Sequence, residues 1–250
     1  PCARFAPSFK CETMTPSNQD PQVVILLGPP GAGKGTQAEL LSEKLNLTYI
    51  ETSKIGEEKI RNAKKDEYLQ VDGKKYFFAE EKRLWEAGKL WDPPFVTALM
   101  KEEFQRLHGE GKSLLLAGSP RTLYEAQNEI PSLEALYGKE NICAFLIELS
   151  EEQSLYRNSH RRICELIRHP ILFNEETKNL SMCPLDGSKL LRRKGLDDPE
   201  TIRVRLKEYE ERTFPLVEYM EKYGLEVKRI NGAQSVAQVF NDILGALEKE

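Results

Sequence analysis

Gly28-Pro29-Pro30-Gly31-Ala32-Gly33-Lys34-Gly35-Thr36 lies between the apolar run Val23-Val24-Ile25-Leu26-Leu27 and the helix-forming run Gln37-Ala38-Glu39-Leu40-Leu41-Ser42-Glu43-Lys44-Leu45. Strand, glycine-rich loop, lysine and helix in that order read as a phosphate-binding loop. Its glycines let backbone N–H groups converge on a polyphosphate, the helix N-terminus adds partial positive charge, and the Lys34 ammonium reaches the β- and γ-phosphates. The general pattern puts Ser or Thr directly after the lysine to hold Mg²⁺. Here Gly35 stands there, and the hydroxyl is delayed to Thr36.

Around this loop the chain has the makings of one sizeable α/β core with inserted segments: 250 residues, 40% hydrophobic and 30% charged. The 36 basic and 40 acidic side chains leave a net charge of −4, which offers no general attraction to nucleic acid or membrane, so a polyanion site must be local. No apolar run approaches the ~20 residues that span a bilayer. The five cysteines are irregularly spaced and suit reduced thiols in a cytosol-like compartment. Residues 1–21, rich in Pro, Ser and Thr and without periodicity, read as a disordered extension. They are either the remnant of a processed transit peptide or sequence upstream of a start at Met14.

β-rich runs recur at Leu47–Ile50, Ser113–Ala117, Ala144–Leu149 and Glu226–Ile230, separated by helical patterns. This alternation predicts a three-layer fold with a parallel five-stranded sheet and ligands at the carboxyl ends of its strands. Asp92-Pro93 and Asp198-Pro199 predict capped helix starts, and Ser150…Gln153 and Ser235…Gln238 have capping-box spacing. Val96, Leu99, Met100, Phe104 and Leu107 fall on one helical face and predict core packing. Two segments break the rhythm. Residues from about 51 to 90 show only short helical patterns, and those from about 162 to 198 carry scattered Pro, Gly and Cys.

Phosphoryl transfer is mostly positioning and charge neutralisation, so several arginines should converge on the loop. Arg121, in Gly118-Ser119-Pro120-Arg121-Thr122, follows the run Ser113–Ala117 and so sits at the carboxyl edge of the sheet. Arg157 and Arg161 are four residues apart on a helix capped by Ser150, which predicts a shared face.

The loop GPPGAGKGTQ, the GSPRT segment, the run Arg157-Asn158-Ser159-His160-Arg161-Arg162, the stretch from Asp197 to Leu206 and the turn Asn231-Gly232-Ala233-Gln234 occur in that order. Together they resemble the adenylate kinases and related nucleoside monophosphate kinases, from about Val23 to Leu247. The resemblance implies a P-loop NTPase fold in residues 22–250, with the two irregular segments as a monophosphate-binding insertion and a lid. It implies transfer of the ATP γ-phosphoryl group to a nucleoside monophosphate, AMP before others, with Mg²⁺ accompanying ATP, by a cytoplasmic monomer. Lys34, Arg121, Arg157, Arg161 and Arg205 become the expected catalytic residues. Gly31, Ala32, Gly33, Lys34, Gly35, Thr36, Arg157, Arg161 and Gln234 become the expected ATP contacts. Thr52, Lys89, Leu90, Trp91, Gly118, Arg121 and Arg205 become the expected monophosphate contacts. A further arginine before the Asp197 stretch falls on either Arg193 or Lys194.

Several positions depart from the family pattern. Glu57 replaces an arginine, with Arg61 one turn later; Glu125 occupies the place of an adenine-reading glutamine, with Gln127 nearby. Lys54 and Ala117 stand where two aspartates hold Mg²⁺ through water, so no side chain is expected to ligate the metal. In the lid, Cys164 and Cys183-Pro184-Leu185-Asp186 match parts of the paired pattern of zinc-carrying lids, but Ile167 fills the second ligand position and His169 substitutes only with awkward spacing. The expectation is a metal-free lid, with both cysteines packed as small apolar side chains. These departures leave two alternatives open: a P-loop kinase for another small acceptor, and a nucleotide-binding sensor with weakened turnover.

Overall fold

The structure is a computed structural model that describes residues 23–64, 66–86, 90–193 and 197–248. The expected extension, 1–21, lies outside these residues, as do Lys89 and Lys194. In chain order the elements are β1 (Val23–Leu27), α1 (Lys34–Leu45), β2 (Thr48–Ile50), α2 (Thr52–Asn62), β3 (Tyr68–Val71), β4 (Lys74–Phe77) and α3 (Phe78–Glu86). Next come α4 (Pro93–Gly109), β5 (Leu114–Leu116), α5 (Leu123–Tyr137), β6 (Ile142–Glu148), α6 (Glu151–His160), β7 (Arg162–Cys164), β8 (Pro170–Ile171) and β9 (Leu190–Leu191). The chain closes with α7 (Pro199–Glu208), α8 (Pro215–Tyr223), β10 (Val227–Asn231) and α9 (Val236–Leu247).

All five residues of β1 are buried, because the strand is central and covered on both faces. The sheet order is β10-β6-β1-β5-β2, every pairing is parallel, and β1 runs in register from Val23 beside Leu114 and Ile142. Alternate residues feed opposite cores. Val23, Ile25 and Leu27 pack with Phe95, Phe104, Ile130, Leu133 and Leu216 from α4, α5 and α8, whereas Val24 and Leu26 pack with Ala38, Leu41, Val239 and Ile243 from α1 and α9. This is the expected three-layer α/β fold with a parallel five-stranded sheet. The chain first fills the β5 and β2 side of β1 and then crosses to β6 and β10, so a crevice opens at the carboxyl ends beside β1.

Both capping boxes form, at Ser150 with Gln153 and at Ser235 with Gln238. The two aspartates behave differently. Asp92 makes no side-chain cap, and its next two residues, Pro93 and Pro94, have no N–H to offer; the Glu81 carboxylate accepts from the Asp92 N–H at 3.1 Å. Asp198 likewise leaves its helix uncapped and accepts from the Thr201 hydroxyl at 2.8 Å. Val96, Leu99, Met100, Phe104 and Leu107 are buried, as the periodicity predicts.

The segment between β2 and α4 holds more than short helices. β3 and β4 form an antiparallel hairpin whose turn residues, Asp72 and Gly73, have φ of 49° and 81°. Both angles are positive, as a two-residue turn matching strand twist requires. In the segment after α6, β8, β7 and β9 form a small antiparallel sheet. Between α7 and α8, Tyr209–Thr213 widen into a π-turn, with the Phe214 N–H donating to the Tyr209 carbonyl at 2.8 Å. Pro215 has no N–H to continue the α ladder there. No helix among the described residues is long and apolar enough to cross a membrane.

Candidate active site

The loop leaving β1 is gripped from behind. Gly28 has φ of 146°, and a Cβ there would come within 2.5 Å of the Ile147 carbonyl oxygen of β6. Gly31 has φ of 82°, and a Cβ there would lie 2.5 Å from Asn158 Nδ2. Both positions therefore demand glycine. From α6 the Ser154 hydroxyl donates to the Pro30 carbonyl at 2.5 Å, and the buried Asn158 amide donates to the Ser154 carbonyl at 2.8 Å. Lys34 folds over the loop, donating from Nζ to the carbonyls of Gly28 at 2.6 Å and Pro29 at 3.0 Å. Thr36 sits in the first turn of α1, half-buried.

Positive charge converges here. The Lys34 ammonium is lowered to about 7, first by desolvation and then by Arg121, Arg205 and Arg161. Its side chain is mostly covered but still reaches solvent, so the desolvation comes from protein and cations crowding the floor of an open crevice. Arg205 is lowered to about 10 by burial, Arg193 and Arg121, and Arg161 to about 10 by burial, Arg193 and Arg205; Asp197 opposes both shifts. Arg157 is lowered by desolvation alone, consistent with a place at the cluster's rim. Arg121 reaches solvent but is hemmed in by protein; that crowding lowers it, while Glu125, Tyr49 and Glu51 pull the other way. Lys34, Arg121, Arg161 and Arg205 repel one another across this crevice, a cost that a bound polyanion would relieve.

The arginines are placed by particular contacts. Arg161 is not on α6, as the spacing predicts, but caps its C-terminus in extended backbone, with Nη2 donating to Asn158 Oδ1 at 2.8 Å. Asn158, which sequence reasoning missed, therefore links loop, helix and arginine. Between the two candidates before the Asp197 stretch, Arg193 is a member of the cluster, held bidentately by Asp197 at 3.0 and 2.7 Å. Arg162 turns away: it donates to the carbonyls of Thr177 and Leu180, each at 2.5 Å, and stands over the Phe173 ring.

On the other side of the crevice, a Cβ on Gly118 would lie 3.2 Å from Arg121 Nη2 and 3.4 Å from Thr52 Oγ1, so these three residues share one small space. Thr52 is buried and its hydroxyl has no protein partner, which leaves a donor for a ligand. Leu90 is exposed, but Trp91 is buried against Gly56, where a Cβ would approach the indole to 2.0 Å. Glu125 is 4% exposed and accepts from the Arg121 N–H at 2.7 Å and the Thr122 hydroxyl at 2.9 Å. Its oxygens thus serve its own loop instead of reading a base. Gln127 is exposed, and Glu57 is half-buried. Lys54 is exposed and paired with Glu51 at 2.7 Å, and Ala117 directly follows β5. Gln234 sits in the turn after β10, bonded to Asn231 and Asp242, and the neighbouring Val236 carbonyl accepts from Gln37 of α1 at 2.9 Å. That bond sets the turn beside the helix that begins at the phosphate loop.

In the segment after α6, Cys164 Sγ lies 3.1 Å from His169 Nδ1 and Cys183 Sγ 3.2 Å from His169 Nε2. With Asp186, their ligand atoms all fall within 4.8 Å of one another. Ile167, at the family's second ligand position, is 64% exposed and takes no part.

A family model described as adenylate kinase matches residues 26–225. An adenylate kinase of Methanothrix thermoacetophila is 34% identical over 227 residues, covering 90% of this chain and 98% of that protein. One from Clostridium botulinum (strain Loch Maree) is 34% identical over 230 residues, covering 91% and 99%. One from Staphylococcus epidermidis (strain ATCC 12228) is 32% identical over 228 residues, covering 90% and 98%. Taken with a parallel sheet whose phosphate loop faces a ring of arginines, these matches show that the chain belongs to the adenylate kinase family.

Proposed function

We propose that Lys34, Arg121, Arg157, Arg161 and Arg205, joined by Arg193, carry the transfer of the ATP γ-phosphoryl group to AMP that membership of this family entails. The observation that supports this most is the convergence of Arg121, Arg161 and Arg205 on Lys34, whose ammonium is lowered first by desolvation and then by these three arginines, at the point where transferred charge would be neutralised. MgATP is the donor substrate. Gly31 to Thr36 would cradle its phosphates, Arg157 and Arg161 would approach from the α6 side, and the Gln234 turn would lie beside its base. AMP would place its phosphate at Arg121 and Arg205 and its nucleoside along Thr52, Gly118, Leu90 and Trp91, with Lys89 assigned by resemblance alone. The alternatives of another acceptor or a turnover-impaired sensor are not favoured, since the relatives match over nearly their whole length. A coupled assay of ADP formation across a panel of nucleoside monophosphates tests the assignment. AMP should give the highest kcat/KM, and a different preferred acceptor would overturn it.

ATP binding should take up a proton above pH 7. In the free enzyme Lys34, lowered to about 7, is charged below that pH and increasingly neutral above it. The polyphosphate favours the charged form, so affinity falls with rising pH by up to about tenfold per unit. Calorimetry at pH 8 in buffers of different ionisation enthalpy should show proton uptake, and none would mean that Lys34 remains charged throughout.

The segment from about 162 to 198 is the proposed lid, and its Cys164, His169, Cys183 and Asp186 suit a structural zinc ion. Two thiolates, an imidazole and a carboxylate are a tetrahedral donor set, and Asp186 Oδ2 is buried without a protein partner. Zinc would tie Cys164, at the end of β7, to the turns that carry His169, Cys183 and Asp186, and supply no chemistry. Elemental analysis should find about one zinc per chain, and its chelation should lower the melting temperature; a chain free of zinc after purification in zinc-containing medium would restore the metal-free reading. The same proposal keeps the protein a monomer of the cytosol, which light scattering and fractionation can test.

A further inference from the structure

Glu129 is fully buried on α5, among Ala126, Ile130 and Leu133, where an apolar side chain would pack without cost. Its Oε2 lies 2.7 Å from the Ser119 hydroxyl, itself 2% exposed, and Oε1 has no protein partner. The same hydroxyl is 3.4 Å from Glu125 Oε2, the oxygen that accepts the Arg121 N–H. Two buried carboxyl groups thus meet at one hydroxyl, which has a single proton to give. If both were ionised, one oxygen would face a lone pair and two negative charges would share a dry site. Glu125 has an N–H and a hydroxyl to stabilise its charge, whereas the charged groups that face Glu129 are Glu125 and, across the contact with α4, Lys101. Burial raises both carboxyls, but at Glu125 the bonds from the Arg121 N–H and the Thr122 hydroxyl oppose the shift, which points the shared proton to Glu129. Its carboxyl is raised well above the ordinary range by burial and by Glu125, with Ser119 and Lys101 opposing.

We propose that Glu129 is a positioning residue of the transfer site: a neutral carboxylic acid that donates to Ser119, whose own proton then turns to the Glu125 carboxylate holding the Arg121 main chain. The chain of bonds runs from the core of α5 to the arginine loop. On the far side, the Thr213 hydroxyl of the π-turn donates to the Arg121 carbonyl at 2.9 Å, so the residue is held at both its N–H and its C=O. Loss of the Glu129 proton puts a second negative charge beside Glu125 and loosens the first of these tethers.

The inference rests on the assignment of Arg121 to the monophosphate phosphate. Steady-state ADP formation by the full chain is measured from pH 6 to 10 for wild type, Glu129→Gln, Glu129→Leu and Ser119→Ala, with KM resolved for AMP and ATP separately. Glutamine is neutral at every pH and can donate to Ser119. Its AMP KM should stay within about twofold of wild type at pH 7, and it should lack the several-fold alkaline rise of wild type. Leucine removes the donor and should raise the AMP KM about tenfold at neutral pH while ATP KM holds within about twofold. Ser119→Ala cuts the same chain with less change of volume and should move AMP KM in the same direction, which covers the case in which the leucine variant does not fold. Equal behaviour of glutamine and leucine, an alkaline rise in AMP KM that persists in Glu129→Gln, or substitutions that change AMP KM and ATP KM equally when compared with wild type at one pH would overturn the proposal. If Arg121→Ala itself leaves AMP KM unmoved, the site assignment fails; if Arg121→Ala acts and the Glu129 and Ser119 variants do not, only the tether fails.

Discussion

Exchange of Lys34 for methionine should lower kcat for ADP formation at least about a thousandfold, equivalent to roughly 4 kcal/mol of transition-state stabilisation. The ammonium is anchored to the Gly28 and Pro29 carbonyls and aimed at the crevice where Arg121, Arg161 and Arg205 converge. In the proposed reaction it would neutralise charge on the phosphoryl group from a position already fixed by the loop. Methionine has similar length and no charge, so the loop keeps its filler. Removing one cation from a crowded cluster should leave the melting temperature unchanged or higher. The two measurements together isolate charge from folding: stopped-flow or coupled turnover for the first, calorimetry for the second. Turnover within about tenfold of wild type would remove Lys34 from the transition state.

Arg121→Ala should cost about 10²- to 10³-fold in kcat/KM, divided between a higher AMP KM and a lower kcat. The guanidinium shares one space with Thr52 and Gly118 on the acceptor side and still acts on Lys34 on the donor side, so it is placed to bind the ground state and to meet charge that develops later. The bonds that hold this loop, to Glu125 and Thr213, are made by the Arg121 main chain and survive truncation. The loss therefore belongs to the guanidinium. Arg121→Lys should recover little, because an ammonium cannot offer the planar two-donor fork. If lysine restores wild-type kcat, charge alone suffices at this position.

The strand, the loop and the parallel sheet were legible because β1 announces itself by five consecutive apolar residues and the loop by glycines ahead of a lysine and a helix, while the order of the strands came only with the structure. The hairpin carried a signal as well: Asp72-Gly73 between short β-rich runs is a strong turn dipeptide, obscured here by the charged residues on both flanks. The small sheet after α6 carried none, since strands of two or three residues have no periodicity to detect. Arg161 was given the right neighbourhood by spacing but the wrong backbone, because the helix ends one residue earlier. Asn158 and Glu129 illustrate a deeper limit. A polar residue within a helical pattern is usually solvated, and only the fold shows that these two face inward to the phosphate loop and to Ser119. His169 reached the two cysteines through a turn whose Arg168 adopts φ of 63°, which a count of intervening residues does not foretell.

The indole resting on Gly56 has an optical consequence. The chain has two tryptophans, Trp85 at 42% exposure and Trp91 at 9%, so their emission separates into a water-like and a protein-like component. Trp91 lies against α2, the helix that begins with Thr52, and 6.4 Å from the Phe95 ring, while its Nε1 has no protein partner. A displacement of α2 toward a bound acceptor would change the packing and polarity on one face of this ring and leave Trp85 in water. If the proposed acceptor site closes on its ligand, Trp91 would report it and the exposed tryptophan would serve as internal reference.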